Sequence, residues 1–207
     1  MGILKGMMTV RRYDVVGEAP ANYGHVFHEK LQEHAFQASS FLSGKEEILG
    51  WTLAKNLLET DFSEIDQWLC MHYITAMMRV DKRNLPSNLF RAHFEQRCAE
   101  WCENHDRKHC PARVKEEIKD KLRFELLSKS LPKVSTVEFC WNVKEKYLLV
   151  HNTSDSMNDR FITLFYETFG LQLQPSSLLN FVSDNATLKS QLESCGATDL
   201  SNHGGMV

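Results

Sequence analysis

Residues 111–175 read PARVKEEIKDKLRFELLSKSLPKVSTVEFCWNVKEKYLLVHNTSDSMNDRFITLFYETFGLQLQP. Pro111 suits a helix start, because the N–H it lacks would have no partner in the first turn. Val114, Ile118, Leu122 and Leu126 recur every four residues and predict that helix's buried line. Leu131-Pro132 marks its end, since the residue before a proline is pushed out of the helical region. Strands are expected at 136–142 and 146–151, with a turn over Asn142–Glu145 between them. Ser154 or Asp155 can cap a second helix carrying Phe161, Leu164, Phe165 and Phe169. Gly170 fits its stop, and Leu171-Gln172-Leu173 alternates as a strand does. Strands and helices mix here without strict βαβ order, which predicts an α+β fold with a mainly antiparallel sheet. No catalytic motif interrupts the stretch, so the search turns from active sites to binding faces.

Upstream, Asn84-Leu85-Pro86-Ser87 starts another helix, with Phe90, Phe94, Cys98, Trp101 and Cys102 as its apolar stripe. A polar turn at 104–110 separates it from the helix at Pro111. The two therefore predict an antiparallel helical hairpin that protrudes from the sheet. Residues 3–13 read as a strand with Ile3, Met7 and Thr9 on one side, followed by a turn at Gly17–Pro20. A helix is expected from Pro20 to about Phe36, with Tyr23, Phe27, Leu31 and Ala35 at four-residue spacing. Gly44 opens a strand through Ile48, Leu49 and Trp51, and residues 67–79 lean to β. A last helix is expected at 184–194. The organisation predicted is an N-terminal α+β part (1–80), the hairpin (81–134), a strand–strand–helix part completing the fold (135–195), and a flexible tail (196–207). The strand–helix–strand units at the start and around 146–174 look faintly alike, which raises an internal duplication as one reading.

Of 207 residues, 43% are hydrophobic and 25% charged, ordinary values for a globular chain. The sequence has no run of about 18 apolar residues, so no membrane span is expected. The N-terminus alternates rather than showing a secretory signal, and Gly6 stands where myristoylation wants Ser or Thr. The six cysteines are therefore expected reduced, in a cytoplasm, where the triplets Asn152-Thr153-Ser154 and Asn185-Ala186-Thr187 carry no glycosylation weight. Charge is unevenly spread. Residues 79–146 hold 16 Lys+Arg against 11 Asp+Glu, while the rest hold 8 against 16. Such a split fits one face for a polyanion, though mixed-charge solvated helices produce the same counts.

Cys98, Cys102, His105, His109 and Cys110 offer thiolate and imidazole groups of the kind zinc takes. Their spacing matches no standard finger, and Cys98 and Cys102 simply continue the apolar stripe, so no metal site is assigned. His25, His28 and Glu29 lack the His-Glu-x-x-His order of a zinc protease. No cofactor and no catalytic residue is assigned. The stronger set is basic. Lys115, Lys119 and Arg123 recur every four residues and stack on one helix flank, at a cost of a few tenths of a kcal/mol per like-charged pair. A phosphate backbone offsets that cost by releasing counterions. Lys129 and Lys133 extend the charge to the helix end, Lys82 and Arg83 precede the neighbouring helix, and Arg11 and Arg12 add a second patch. Beside this stripe Phe124 is the aromatic in view, whereas single-strand binders interleave several rings with their cations. A duplex backbone is the better ligand, without base reading.

The segment Met77-Met78-Arg79-Val80-Asp81-Lys82-Arg83-Asn84-Leu85-Pro86-Ser87 resembles the charged strand end and Leu-Pro-Ser helix start of the bacterial RdgC family of recombination-associated proteins. So do Lys115 to Leu131 with its Leu-Pro, the Trp141 strand, the Tyr147–Val150 strand, and the helix ending Thr168-Phe169-Gly170-Leu171. The N-terminal strand and helix followed by Gly50-Trp51 are similar too, so the likeness runs in order from about residue 3 to 178. The resemblance implies a nucleoid-associated double-stranded DNA-binding protein without strong sequence preference. It also implies a homodimer that encircles duplex and modulates RecA-dependent recombination, with RecA as a partner. By the same likeness Lys82, Arg83 and the Lys115–Arg123 flank are candidate phosphate contacts. By that likeness the chain is expected to be a short member without the C-terminal third of longer ones, which bears on ring closure. A metal-dependent exonuclease and a protein-interaction module binding a recombination protein are the rival readings.

Overall fold

The computed structural model describes residues 9–39, 46–176 and 186–194. The expected Ile3 and Met7 strand positions, the Gly44 strand start and the tail from 196 lie outside them. In chain order the elements are β1 (Arg11–Val16), α1 (Tyr23–Glu33), β2 (Glu47–Thr52), a short 3-10 turn (Ile65–Gln67), β3 (Leu69–Cys70), β4 (Tyr73–Lys82), α2 (Ser87–Asn104), α3 (Ala112–Lys129), β5 (Lys133–Asn142), β6 (Tyr147–Val150), α4 (Asp155–Phe169), β7 (Gln172–Pro175) and α5 (Ala186–Ser194).

The strands form a single antiparallel sheet in the order β2-β4-β5-β6-β1-β7, with β3 paired to β4. The expected α+β class is what the chain adopts. The two strand–helix–strand units that look alike in sequence sit differently in this sheet. β6 and β7 flank β1, whereas β1 and β2 are separated by β4, β5 and β6. The outer edge of β2 is covered by the chain leaving α1: Phe36 N–H donates to Trp51 O at 2.9 Å, and Trp51 N–H to His34 O at 3.0 Å. Covering an edge in this way removes a template for aggregation.

One face of the sheet carries the core. Alternation puts Ile74, Ala76, Met78 and Val80 of β4, and Val137, Phe139 and Trp141 of β5, on the same side, all buried. Against them pack Phe27 and Leu31 of α1 and Phe161, Leu164, Phe165 and Phe169 of α4. Ring centroids lie 5.3 Å apart for Phe27–Trp141, 5.2 Å for Trp51–Phe139 and 5.4 Å for Phe139–Phe161. Each such aromatic pair adds about 0.5–1.5 kcal/mol beyond its buried area. Truncating Phe165 to Ala would cost about 3–5 kcal/mol. Gly170, at φ 69°, supplies the left-handed residue that ends α4, and its N–H donates to Tyr166 O.

β4 and β5 pair along their whole length, from Tyr73↔Asn142 to Lys82↔Lys133. β6 reaches only Phe139–Asn142, so the far half of this ribbon runs beyond it and carries α2 and α3 at its end. The helical hairpin has little core of its own. α2 buries no side chain fully and α3 buries Leu122 alone. Val114, Ile118 and Leu126, expected on the same line, are half-buried, as are Phe90, Phe94, Cys98, Trp101 and Cys102. A unit with so few buried contacts belongs to the low-stability end of the molecule, where binding elements are commonly drawn from.

Candidate nucleic-acid interface

Two short structural facts bring the cations together. β4 ends at Lys82 and turns directly into α2, and α3 returns antiparallel to α2, so its flank passes the place where α2 begins. Arg83, Lys119 and Arg123 consequently line one cleft of about 380 Å³, with Asn84, Ser87 and Glu46. The first turn of α2 borders this cleft, and its unpaired N–H groups add positive potential there. Beside it, Lys82 and Lys133 are register partners across β4 and β5. Lys133 thus opens a strand, rather than extending the end of α3.

Several of these cations already have acidic neighbours. Arg123 donates from Nε (2.8 Å) and Nη2 (2.5 Å) to the Glu46 carboxylate. Lys82 Nζ lies 3.7 Å from Glu47, which Arg160 also contacts at 3.1 Å. Lys119 lies 3.8 Å from Glu116. Lys129 contacts Glu125 at 2.7 Å, and Glu125 reaches across the hairpin to Arg97 at 2.9 Å. Lys129, and Arg97 after it, hold the Glu125 carboxyl below its ordinary range. Water screens such exposed pairs and they are individually weak, so a polyanion can exchange with them. Lys115 and Lys133 are exposed and make no ion pair among the described residues.

Arg11 and Arg12 lie elsewhere. Arg11 pairs in register with Val150, Val150 with Phe139, and Phe139 with Ala76, six residues from Lys82. At the usual spacings, Arg11 is about 14 Å across and about 20 Å along the sheet from Lys82. Arg11 contacts Asp155 at 2.7 Å and Thr153 O at 2.6 Å, tying β1 to the start of α4. The Arg12 guanidinium stacks on the Tyr147 ring at 4.5 Å. Sequence spacing did not single out Arg107 and Lys108, which are exposed at the hairpin tip, or Glu46. The Arg107-Lys108 dipeptide inside a polar turn was a usable signal. Glu46 had none, because its partner is 77 residues away.

The Cys/His group lies along α2 and the turn after it. The His105 ring stacks on Trp101 at 4.1 Å, with Nδ1 2.8 Å from Trp101 O. Burial, and then the Cys110 thiol, push the Cys98 thiol above its ordinary range. Among the described residues no three His, Cys, Asp or Glu side chains are placed to hold a metal ion. His25 and His28 sit on α1, exposed and half-buried. Among the described residues no helix is long and apolar enough to cross a membrane.

A family profile described as "Putative exonuclease, RdgC" matches residues 15–188. Curated relatives from Neisseria meningitidis serogroup C, Neisseria gonorrhoeae and Neisseria meningitidis serogroup B, each named recombination-associated protein RdgC, are 25% identical over 97 residues. That match covers 47% of this chain and 32% of each relative, so it spans about a third of their length. The relatives' name refers to recombination, while the profile's description names a nuclease. Because the profile matches residues 15–188, from within β1 to the start of α5, the chain belongs to the RdgC family.

Proposed function

We propose that this protein binds double-stranded DNA through its phosphate backbone, without base reading, and acts in RecA-dependent recombination as a nucleoid-associated homodimer. The observation that carries this reading is the meeting of Arg83, Lys119 and Arg123 in one cleft, at the N-terminus of α2, beside the Lys82–Lys133 register pair. Three guanidinium or ammonium groups converging at a helix N-terminus fit a phosphodiester better than any neutral ligand. Lys115 continues the same α3 flank toward the hairpin tip, where Arg107 and Lys108 are exposed. Duplex lying along this line meets cations over the length of an 18-residue helix, about 27 Å. The link to recombination comes from the relatives' name. A second copy of the chain doubles the contacts and raises avidity without any new chemistry.

The test is fluorescence anisotropy of a labelled duplex across a salt series, with mass measured in parallel. Affinity is expected to fall with a log–log slope of about −0.9 per phosphate neutralised. The variant Lys115→Glu/Lys119→Glu/Arg123→Glu should lose binding while keeping the wild-type circular dichroism spectrum and cooperative unfolding. Unchanged affinity in that variant refutes the interface. Inhibition of RecA strand exchange by the wild type, and not by the variant, tests the recombination role.

The family description favours one other reading, a metal-dependent exonuclease. Labelled linear duplex incubated with Mg²⁺ or Mn²⁺ separates the two. Degradation abolished by chelation supports the nuclease, and intact DNA bound in a salt-dependent way supports the binding protein.

A further inference from the structure

The cleft that gathers Arg83, Lys119 and Arg123 also holds an acid, Glu46, fixed in place from two sides. Its carboxylate Oε1 accepts from both Nε and Nη2 of Arg123, at 2.8 and 2.5 Å. Its backbone carbonyl accepts the Arg83 N–H at 2.8 Å. Glu47, the next residue, engages Lys82 and Arg160 and so anchors the start of β2 against β4 and α4. Glu46 is therefore held at the rim by main chain and side chain together, with its charge directed at α3. The pair remains open to solvent, Arg123 being 56% and Glu46 44% exposed. A phosphate oxygen seeks the same two N–H groups that this carboxylate now occupies.

We propose that Glu46 is a built-in competitor for phosphate: duplex DNA engages Arg123 only by displacing the Glu46 carboxylate. The proposal rests on the reading of the cleft as a duplex-phosphate site, and it assigns Glu46 the setting of affinity and salt response there. A phosphate entering beside an engaged Glu46 meets like charge. One that displaces it frees a carboxylate that recruits a cation from solution, so the exchange at Arg123 releases little net counterion. The displacement is repaid only when the same ligand also meets Lys119, Arg83 and the cations along α3. Glu46 thereby favours a continuous polyanion over an isolated phosphate or a nucleotide, by the logic of multivalency.

The experiment measures duplex affinity by anisotropy across a KCl series for the full chain, with Glu46→Gln and Glu46→Ala as variants. Both variants should bind about two- to fivefold more tightly, the scale of one exposed ion pair. Their log–log salt slope should steepen by about 0.9, one further phosphate's worth of counterion release. A general change in surface charge would produce some gain wherever an acid is removed, so the decisive arm is the Arg123→Ala background. There Glu46→Gln should give no more than that general gain and should leave the slope unchanged. The proposal is overturned if the wild type binds duplex and Glu46→Gln leaves affinity and slope unaltered. It is equally overturned if the full gain and the steeper slope persist in Arg123→Ala. A wild type that fails to bind duplex at low salt refutes the reading of the cleft itself, a result distinct from either.

Discussion

Asp81→Asn is the substitution whose consequence can be worked out most fully. Asp81 sits on the face of β4 opposite the main core, between the register partners Ile48 and Val134, and is 2% exposed. Its carboxylate takes both arms of Arg79, Nε at 2.8 Å and Nη2 at 2.6 Å. Arg79 in turn donates to Leu57 O at 3.1 Å and lies 4.2 Å over the Phe36 ring. The pair therefore pins the segment after α1 and the loop after β2 onto the back of β2 and β4. Asparagine keeps the shape and removes the charge, leaving a largely buried guanidinium without its counter-ion. Breaking a buried pair from one side costs about 3–5 kcal/mol. Because Arg79 keeps 13% exposure and its bond to Leu57, we predict about 2–4 kcal/mol here. At about 2–4 °C per kcal/mol for a chain of this size, the melting midpoint should fall by about 4–16 °C. Urea unfolding followed by the fluorescence of Trp51, Trp68 and Trp141, all buried, reads this directly. The m-value should not change, since the surface exposed on unfolding is the same. Replacing both partners, as Arg79→Met/Asp81→Leu, should recover most of the loss, because the neighbours are apolar. An Asp81→Asn midpoint matching wild type would refute the argument. So would a double variant as unstable as the single.

Two further outcomes follow from the packing. In Gly50→Ala the new Cβ would meet Phe36 Cα at 2.6 Å and Phe36 N at 2.7 Å, both main-chain atoms that cannot rotate away. The cost should be about 1–3 kcal/mol, read by urea unfolding, and wild-type stability would show that the edge segment yields freely. Burial pushes the thiols of Cys98 and Cys140 above their ordinary range, so less thiolate is present at pH 8 and alkylation is slower. Exposed Cys70 should react with iodoacetamide before Cys98 and Cys140, followed by peptide mass mapping, and their lag should shrink as pH rises. Either of them outpacing Cys70 would contradict the burial.

The elements that read most clearly in the sequence are those whose periodicity is set by a single buried face. α4 is the best case. Phe161, Leu164, Phe165 and Phe169 all lie on the core, and Gly170 ends the helix as its lack of a Cβ allows. The hairpin helices were also legible from Pro86 and Pro111, yet their apolar stripes overstated burial. Both stripes have only each other and the end of the β2-β4-β5 part of the sheet to pack against, so most of their members stay half-buried. At the first strand the described residues place β1 at Arg11–Val16, so Tyr13 and Val15 supply the core side chains. Within the described residues, pairing with β6 and β7 defines this strand.

Local spacing along the chain settled the helix flank of Lys115, Lys119 and Arg123, the two hairpin helices between Lys82 and Lys133, and the mixed order of strands and helices from which the α+β class was read, because each depends on neighbours within a few residues. Which cations meet was decided by strand pairing. β4 and β5 bring Lys82 to Lys133, the turn into α2 brings Arg83 to Lys119 and Arg123, and the same sheet carries Arg11 and Arg12 away. The arrival of Glu46 at Arg123 was decided there too. Electrostatic contacts are set by distance in space, and a contact spanning 77 residues leaves no periodic trace along the chain.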